Sequence, residues 1–322
     1  MRLRAGWVKA LLPAALVSAL GLWGCLGSPR PASSAGATTQ RLVMTWVAPY
    51  AVAASKGRLN ESFDGIGMKD GLTDLALQFW EPAPDGSGVH RVQRGGDTSD
   101  ASVFELRDWG RAHGVRVLLC VYNFNATTDA WDWPWARSAF AAHPEQFASS
   151  LVSELEHLEL DGIDLDLEGT GALDGDKAAY VLFVKDLSAR LRARGKRLTL
   201  DTFAYVWNAP NQSWWATLFP LVDGINSMGY EEIGAGAGAG TEAWRAFAAQ
   251  EDASGSDVRK LMLGMPANKD EWRGKPALEH LRWLRDRGRA GMSLWDSQLD
   301  APAWRTHEAW SMVSEIRKGA AR

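Results

Sequence analysis

Four acidic residues stand close together in the run Leu160-Asp161-Gly162-Ile163-Asp164-Leu165-Asp166-Leu167-Glu168. In an extended strand alternate residues share a face, so Asp164, Asp166 and Glu168 point one way while Ile163, Leu165 and Leu167 point the other. If the strand is buried, carboxyls spaced about 7 Å apart along it lose hydration and repel one another, and at least one pKa must rise. Packing gains nothing from that arrangement. Three readings fit it: a divalent-cation site, a solvated edge strand, or an acid kept protonated by its neighbours so that it can deliver a proton. The apolar residues opposite weigh against an edge strand. The six His and the two cysteines, Cys25 and Cys120, show no spacing typical of a metal site, so neither metal nor cofactor is expected.

Such an array needs a scaffold. From residue 41 onward, short β-branched or apolar runs recur, each followed by a polar or Gly-rich turn and then a helical pattern, the signature of repeated β-α units on a parallel sheet. The sequence predicts eight strands: Leu42 to Val47, Asp74 to Phe79, Val115 to Val121, Gly162 to Leu167, Arg197 to Phe203, Val222 to Met228, Leu261 to Met265 and Ala290 to Trp295. The clearest helix is expected from Lys177 to Arg194, with Asp176 as N-cap and Gly195 as C-cap. Tyr180, Phe183, Val184, Leu187 and Leu191 fall on one of its faces. Eight units in one domain fit a single (β/α)8 TIM barrel better than an open sheet, whose first strand is usually followed by a Gly-rich phosphate turn. The one Gly-rich run, Gly234 to Gly240, lacks the Lys-Ser/Thr of a phosphate loop and is expected to be a flexible loop at the barrel mouth. Too few residues separate the seventh and eighth strands to hold an α+β insertion domain, so a shallow, open cleft is expected. The acids end at the C-terminal end of the fourth strand, where barrel enzymes place their chemistry, and catalysis becomes the sharper reading.

With 46% hydrophobic and 23% charged residues among 322, the composition is that of a soluble globular protein. A net charge of -4 gives no broad basic field for a phosphate backbone, which excludes nucleic acid as an expected partner. Tryptophan is abundant, 17 residues against 5 Tyr, and flat indole faces suit sugar rings. Trp46 and Trp80 fall at the ends of strands one and two. Trp131, Trp133 and Trp135 follow strand three, to line outer subsites or to pack over the rim. Residues 1–24 read as an export signal: a basic start at Arg2, Arg4 and Lys9, then an apolar run too short to span a bilayer. Its ending, Leu22-Trp23-Gly24-Cys25, resembles the bacterial lipoprotein cleavage box, which implies a lipid on Cys25, with ordinary cleavage near Ala32 to Ala37 as the alternative. Residues 25–40 are a tether rich in Gly, Ser and Pro, and residues 41–318 the catalytic domain. Cys120 is then unpaired and no disulfide is expected. A monomer touching membrane only through that lipid is the expected state.

The spacing Asp161-x-x-Asp164-x-Asp166-x-Glu168 resembles the complete fourth-strand motif of glycoside hydrolase family 18, the chitinases and endo-β-N-acetylglucosaminidases. Met228-Gly229-Tyr230-Glu231 resembles the family's Met-x-Tyr-Asp after the sixth strand, with Glu in the last place. Gly291 to Asp296 resembles its eighth strand, whose Trp floors a sugar subsite, and Leu261 to Pro266 its seventh. The resemblance covers about residues 41 to 310. Strand three, Val117 to Asn123, departs from it by lacking Ser-x-Gly-Gly, so support of the acid array by different packing is expected. The resemblance implies substrate-assisted, retaining hydrolysis. The substrate's 2-acetamido oxygen is the nucleophile, Glu168 is general acid and then base, Asp166 holds the acetamido N–H, Asp164 shares a proton with Asp166, and Tyr230 bonds the acetamido carbonyl. Trp295, Glu231, Asp161, Met228, Trp46 and Trp80 are the expected substrate-binding residues. The implied substrate is an N-acetylglucosamine-containing glycan: chitin, an N-glycan core or a peptidoglycan-like polymer. A catalytically silent lectin of the same family is the competing reading, and the intact Glu168 argues against it.

Overall fold

The computed structural model describes residues 40–169, 173–203, 213–228, 230, 243–267 and 276–319. Eight parallel strands close into a barrel: β1 (Val43–Val47), β2 (Asp74–Pro82), β3 (Arg116–Tyr122), β4 (Gly162–Asp166), β5 (Arg197–Phe203), β6 (Gly224–Met228), β7 (Leu261–Pro266) and β8 (Gly291–Trp295). Closure comes from β1, which pairs with β8 on one side (Thr45 beside Leu294) and with β2 on the other (Met44 beside Asp74). A helix follows each strand: α1 (Val52–Leu59), α2 (Asp100–His113), α3 (Pro144–His157), α4 (Lys177–Arg192), the single turn α5 (Trp215–Leu218), α6 (Ala243–Ser254), α7 (Pro276–Asp286) and α8 (His307–Lys318). All eight expected strands are present, and the single (β/α)8 barrel is the fold.

Alternation along the strands explains the layering. Outward residues such as Leu75, Leu77, Val117, Leu119, Ile163, Leu165, Leu198, Leu200, Leu261 and Leu263 merge with the helices' apolar faces into one continuous shell. Each such side chain contributes roughly 1.5–3 kcal/mol when removed from water, so this shell has ample stability to offset a few buried polar groups. The lower interior is apolar too, with Leu42, Met44, Ala76, Leu118 and Met262. Nearer the mouth, the inward positions turn polar: Gln78, Asp164, Asp166, Asp201, Asn226 and Ser293, all buried.

At the opposite end a repeated device ties strands together. The side chain just before one strand accepts a hydrogen bond from the first free N–H of its predecessor: Thr73 from Val43 at 2.8 Å, Asp161 from Val117 at 2.9 Å, Asp223 from Leu198 at 3.0 Å. Helix α4 buries Tyr180, Phe183, Val184, Leu187 and Leu191 as its spacing predicts. Its caps differ from expectation. Asp176 occupies the N-cap position without capping, because its carboxylate accepts from Trp133 Nε1 and pairs with Arg137. The helix ends at Arg192, and Gly195 supplies the positive φ of the turn beyond it.

Candidate active site

Strand β4 delivers its carboxyls into the upper barrel. Asp164 is wholly buried: its Oδ2 accepts from Trp46 Nε1 at 2.8 Å and its Oδ1 from Thr199 Oγ1 of β5. Asp166, one pleat higher, accepts from Gln78 Nε2 at 2.8 Å through Oδ2, while its buried Oδ1 accepts no hydrogen bond from an N–H or O–H donor among the described residues. An unmatched buried acceptor costs about 1–3 kcal/mol, which a ligand's donor would recover. Glu168 lies two residues beyond, past the end of the strand and only half-buried. Its peptide is clamped by the fully buried Asn123, whose Nδ2 donates to Glu168 O at 2.7 Å and whose Oδ1 accepts from Glu168 N at 2.8 Å.

Burial dominates the electrostatics. It raises the pKa of Asp164, which the Thr199 and Trp46 donors only partly offset. Burial and then the charge of Asp164 push Asp166 up to about 7. Burial and the adjacent Asp166 hold Glu168 well above the usual carboxylate range. Glu168 thus holds its proton to higher pH than a free carboxylate, with Asp166 beside it, the kind of environment an acid and an electrostatic partner require.

The rest of the rim comes from the far side of the barrel. Tyr230 OH accepts from Asn226 Nδ2 at 2.9 Å, the same amide that donates to Asp201 Oδ1 at 2.7 Å, and Asn226 Oδ1 accepts from Ser293 Oγ. Gly264 on β7 makes room for Tyr230: a Cβ there would lie 2.9 and 3.0 Å from two ring carbons. Trp295 ends β8 half-buried at the mouth, its ring 6.1 Å from that of Trp46 and tilted by 48°, and the peptide to Asp296 is cis. Met228 ends β6 beside Phe203.

A model of the Glycosyl hydrolases family 18 matches residues 96–310. The chain belongs to that family. Chitinase A1 of Niallia circulans is 29% identical over 163 residues, a stretch that is 45% of this chain and 22% of that protein, so the chain spans about a fifth of that relative's length. A chitinase from Chromobacterium violaceum superposes with a TM-score of 0.64 at 15% identity, covering 86% of this chain and 98% of that one. The spore cortex-lytic enzyme SleL of Bacillus cereus gives a TM-score of 0.64 at 13% identity, over 86% of this chain and 75% of that one.

Several expected site residues of this family 18 barrel stand elsewhere. Asp161 is at the opposite end of the barrel, capping Val117, because it precedes β4 and has the outward parity; no substrate at the mouth can reach it. Trp46 faces inward but lies beneath Trp295 at 1% exposure, its N–H committed to Asp164, so it supports the acids instead of offering a sugar face. Trp80 points outward. The register of β2 against β3 steps from Leu77–Leu119 to Trp80–Val121, and this extra residue is a bulge that reverses the alternation. Its indole donates to Glu154 of α3 and stacks under Arg91. Trp133 is also core, against Phe140, Tyr180 and Trp214, whereas Trp135 lines an open depression of about 640 Å³ with Glu81, Arg94, Phe124 and Asp132. Neither Asp166 nor Glu168 lines that depression. Glu231, Gly229, the Gly234–Gly240 run, Cys25 and the leader lie outside the described residues.

Cys120 on β3 and Asn123 just past its end stand where the family motif is missing, Asn123 clamping the Glu168 peptide. Asp201, Gln78, Asn226 and Ser293 were not singled out by sequence reasoning; their signal is polar chemistry at inward positions near the ends of strands. Cys120 Sγ and oxygens of Asp166 and Asp201 converge within 4.8 Å. Burial and the surrounding acids push the Cys120 thiol up from its ordinary value.

Proposed function

We propose that this barrel hydrolyses β-linked glycans at N-acetylglucosamine by substrate-assisted, retaining catalysis. The observation that carries the reading is Glu168 at the barrel mouth with the buried Asp166 beside it, burial and that neighbour raising its pKa above the usual carboxylate range. Glu168 donates its proton to the leaving glycosidic oxygen as the substrate's acetamido oxygen attacks the anomeric carbon. The leaving sugar departs as an alcohol and an oxazolinium ion remains. Asp166 accepts the acetamido N–H through its open Oδ1 and balances the positive charge, with Asp164 sharing the pair's proton. Tyr230 donates to the acetamido carbonyl and Trp295 supports the ring from below. Glu168, now ionised, then takes a proton from water, whose oxygen attacks the anomeric carbon from the face the leaving sugar vacated as the acetamido C–O bond breaks, so that the two inversions retain configuration. The names of the chitinases above support chitin-type substrates, and the chain's Leu22-Trp23-Gly24-Cys25 box supports action outside the cytoplasm on a lipid anchor.

The test is Glu168→Gln against a panel of chitobiose and chitotriose chromophores, a glucose-only oligomer and a high-mannose glycopeptide. Loss of turnover in a folded variant, retained β configuration in the wild type, and inertness of the glucose-only oligomer are expected. Equal cleavage of the glucose-only substrate would overturn substrate assistance, and a wild type that binds but cuts nothing would favour the lectin reading.

A further inference from the structure

Among the described residues, neither neighbouring strand gives the carboxyl of Asp166 an N–H donor. Tyr122 of β3 is in register with it on one side, and Asp201 of β5 stands level on the other, since Thr199 is paired with Asp164 and Leu200 with Leu165. The Tyr122 hydroxyl accepts from Arg94 Nη2 at 3.2 Å, and Asp201 is itself an acid whose Oδ1 accepts from Asn226. The donor comes instead from the next strand but one. Gln78 of β2 reaches past β3 and places Nε2 2.8 Å from Asp166 Oδ2, as inward side chains of alternate barrel strands meet in one layer. Gln78 is buried at 3% exposure, and the bulge of β2 follows it directly. Gln78 and Phe79 together face the single Cys120 of β3, so Phe79 and Trp80 both turn outward into the shell. With unbroken alternation the Trp80 indole would instead share the inward side of Ala76 and Gln78 and crowd the mouth above Asp166.

We propose that Gln78 is the positioning residue of the acid array: its amide holds Oδ2 of Asp166, fixes the plane of the carboxyl and leaves Oδ1 for the substrate's acetamido N–H. The terminal torsion of an Asp side chain is broad and two-fold, so rotamer preference alone does not say which oxygen is presented. One fixed donor does. The length of the side chain matters, because Asn would fall short by one methylene, about 1.5 Å, and leave the pair beyond hydrogen-bond distance. Its charge matters too. The titratable groups facing Asp166 are Asp164 and Glu168 of the β4 segment, Cys120 and Tyr122 of β3, Asp201 of β5, Tyr180 of α4 and Tyr230 after β6. All of these are acids, and an amide supplies a donor to the ionised form of Asp166 without adding another charge.

The clamp on Asp166 stands apart from the proposed reaction, while its effect on turnover rests on that reading. Two measurements therefore test it together, on the wild type, Gln78→Met and Gln78→Glu, with folding of each checked by thermal melting. One is the carboxyl titration of Asp166 by carbon NMR, its signal assigned through Asp166→Asn. The other is the pH profile of kcat and KM on a chitotriose chromophore. Met keeps the length of the side chain and removes the donor; Glu keeps the shape and can donate only while it holds a proton. In Gln78→Met the titration of Asp166 and the acid limb of kcat should both move to higher pH by about one unit, because the ionised form has lost its donor. The same variant should lose about 10- to 100-fold in kcat with KM within a few-fold. Gln78→Glu should keep activity on the acid side and lose it at lower pH than the wild type does, once two carboxylates face each other. An unmoved titration and acid limb in Gln78→Met would overturn the proposal. So would activity falling equally at every pH in both variants, which would reduce Gln78 to packing. Where Gln78→Met does not fold, the alkaline limb of Gln78→Glu decides, and a limb in the wild-type position would overturn the proposal. An inactive wild type whose Asp166 titration still moves in Gln78→Met would overturn the reaction and leave the clamp standing.

Discussion

Replacing Asp166 by Asn should abolish turnover and yet stabilise the protein, by an amount that depends on pH. In the folded chain burial and the charge of Asp164 oppose the ionisation of Asp166 and push its pKa up to about 7 from the ordinary 3.8. A carboxyl whose folded pKa is raised imposes no penalty below its unfolded pKa. Between the two values the unfolded state ionises and the folded state does not, so stability falls as pH rises, and the loss is complete above the folded pKa. The gap of about 3 units corresponds to about 4 kcal/mol at 1.36 kcal/mol per unit. Asn keeps the oxygen that accepts from Gln78 and never ionises. Its advantage over the wild type should therefore be small at pH 4 and reach about 4 kcal/mol by pH 8, roughly 10 °C in melting temperature. Paired urea or thermal denaturation at the two pH values measures this, and any constant effect of the substitution cancels in the difference. An advantage of the same size at both pH values would refute the argument, since it would mean that Asp166 ionises in the fold as freely as in water.

Four other substitutions separate parts of the site. Asn123→Ala deletes both hydrogen bonds that hold the Glu168 peptide, about 1–3 kcal/mol in all, so kcat should drop about 10- to 100-fold with KM within a few-fold; an unchanged kcat in a destabilised protein would deny the clamp a role in positioning. Trp80→Ala should cost about 3–5 kcal/mol of stability and leave oligosaccharide affinity intact, whereas Trp295→Ala should weaken affinity with a smaller change in melting temperature. The reverse pattern, read by calorimetry and thermal melts, would restore Trp80 to the cleft. Tyr230→Phe removes the hydroxyl that accepts from Asn226 and should lower turnover about 10- to 100-fold if it stabilises the reacting carbonyl by about 1.4–3 kcal/mol; kinetics within twofold of wild type would exclude that contact.

What was legible depended on whether two-residue alternation held. Along Gly162–Asp166 it holds without interruption, so the acid array could be assigned an inward face and an apolar back from the letters alone. It also held for the outward Val and Leu residues of the other strands, which is why the barrel could be read from sequence. Trp80 failed because one extra residue in β2 shifts parity between Leu77 and Trp80, and nothing in Leu-Gln-Phe-Trp marks a bulge. Asp161 failed because spacing placed it in a motif without saying which end of the strand it occupies. Asp201 was passed over for a different reason: a single acid between Leu200 and Thr202 carries no pattern of its own. Pairing of β5 with β4 and β6 sets it level with Asp166 on one side and beside Asn226 on the other. Parity applied to all eight strands selects Gln78, Asp201, Asn226 and Ser293 as inward polar residues, but it cannot decide their protonation. That depends on how many donors each carboxyl receives from other strands, and the donors to Asp164, Trp46 and Thr199, come from β1 and β5, far apart in the chain. The chemistry of the array is thus a property of the closed barrel, and the β4 motif marks only the strand on which it is centred.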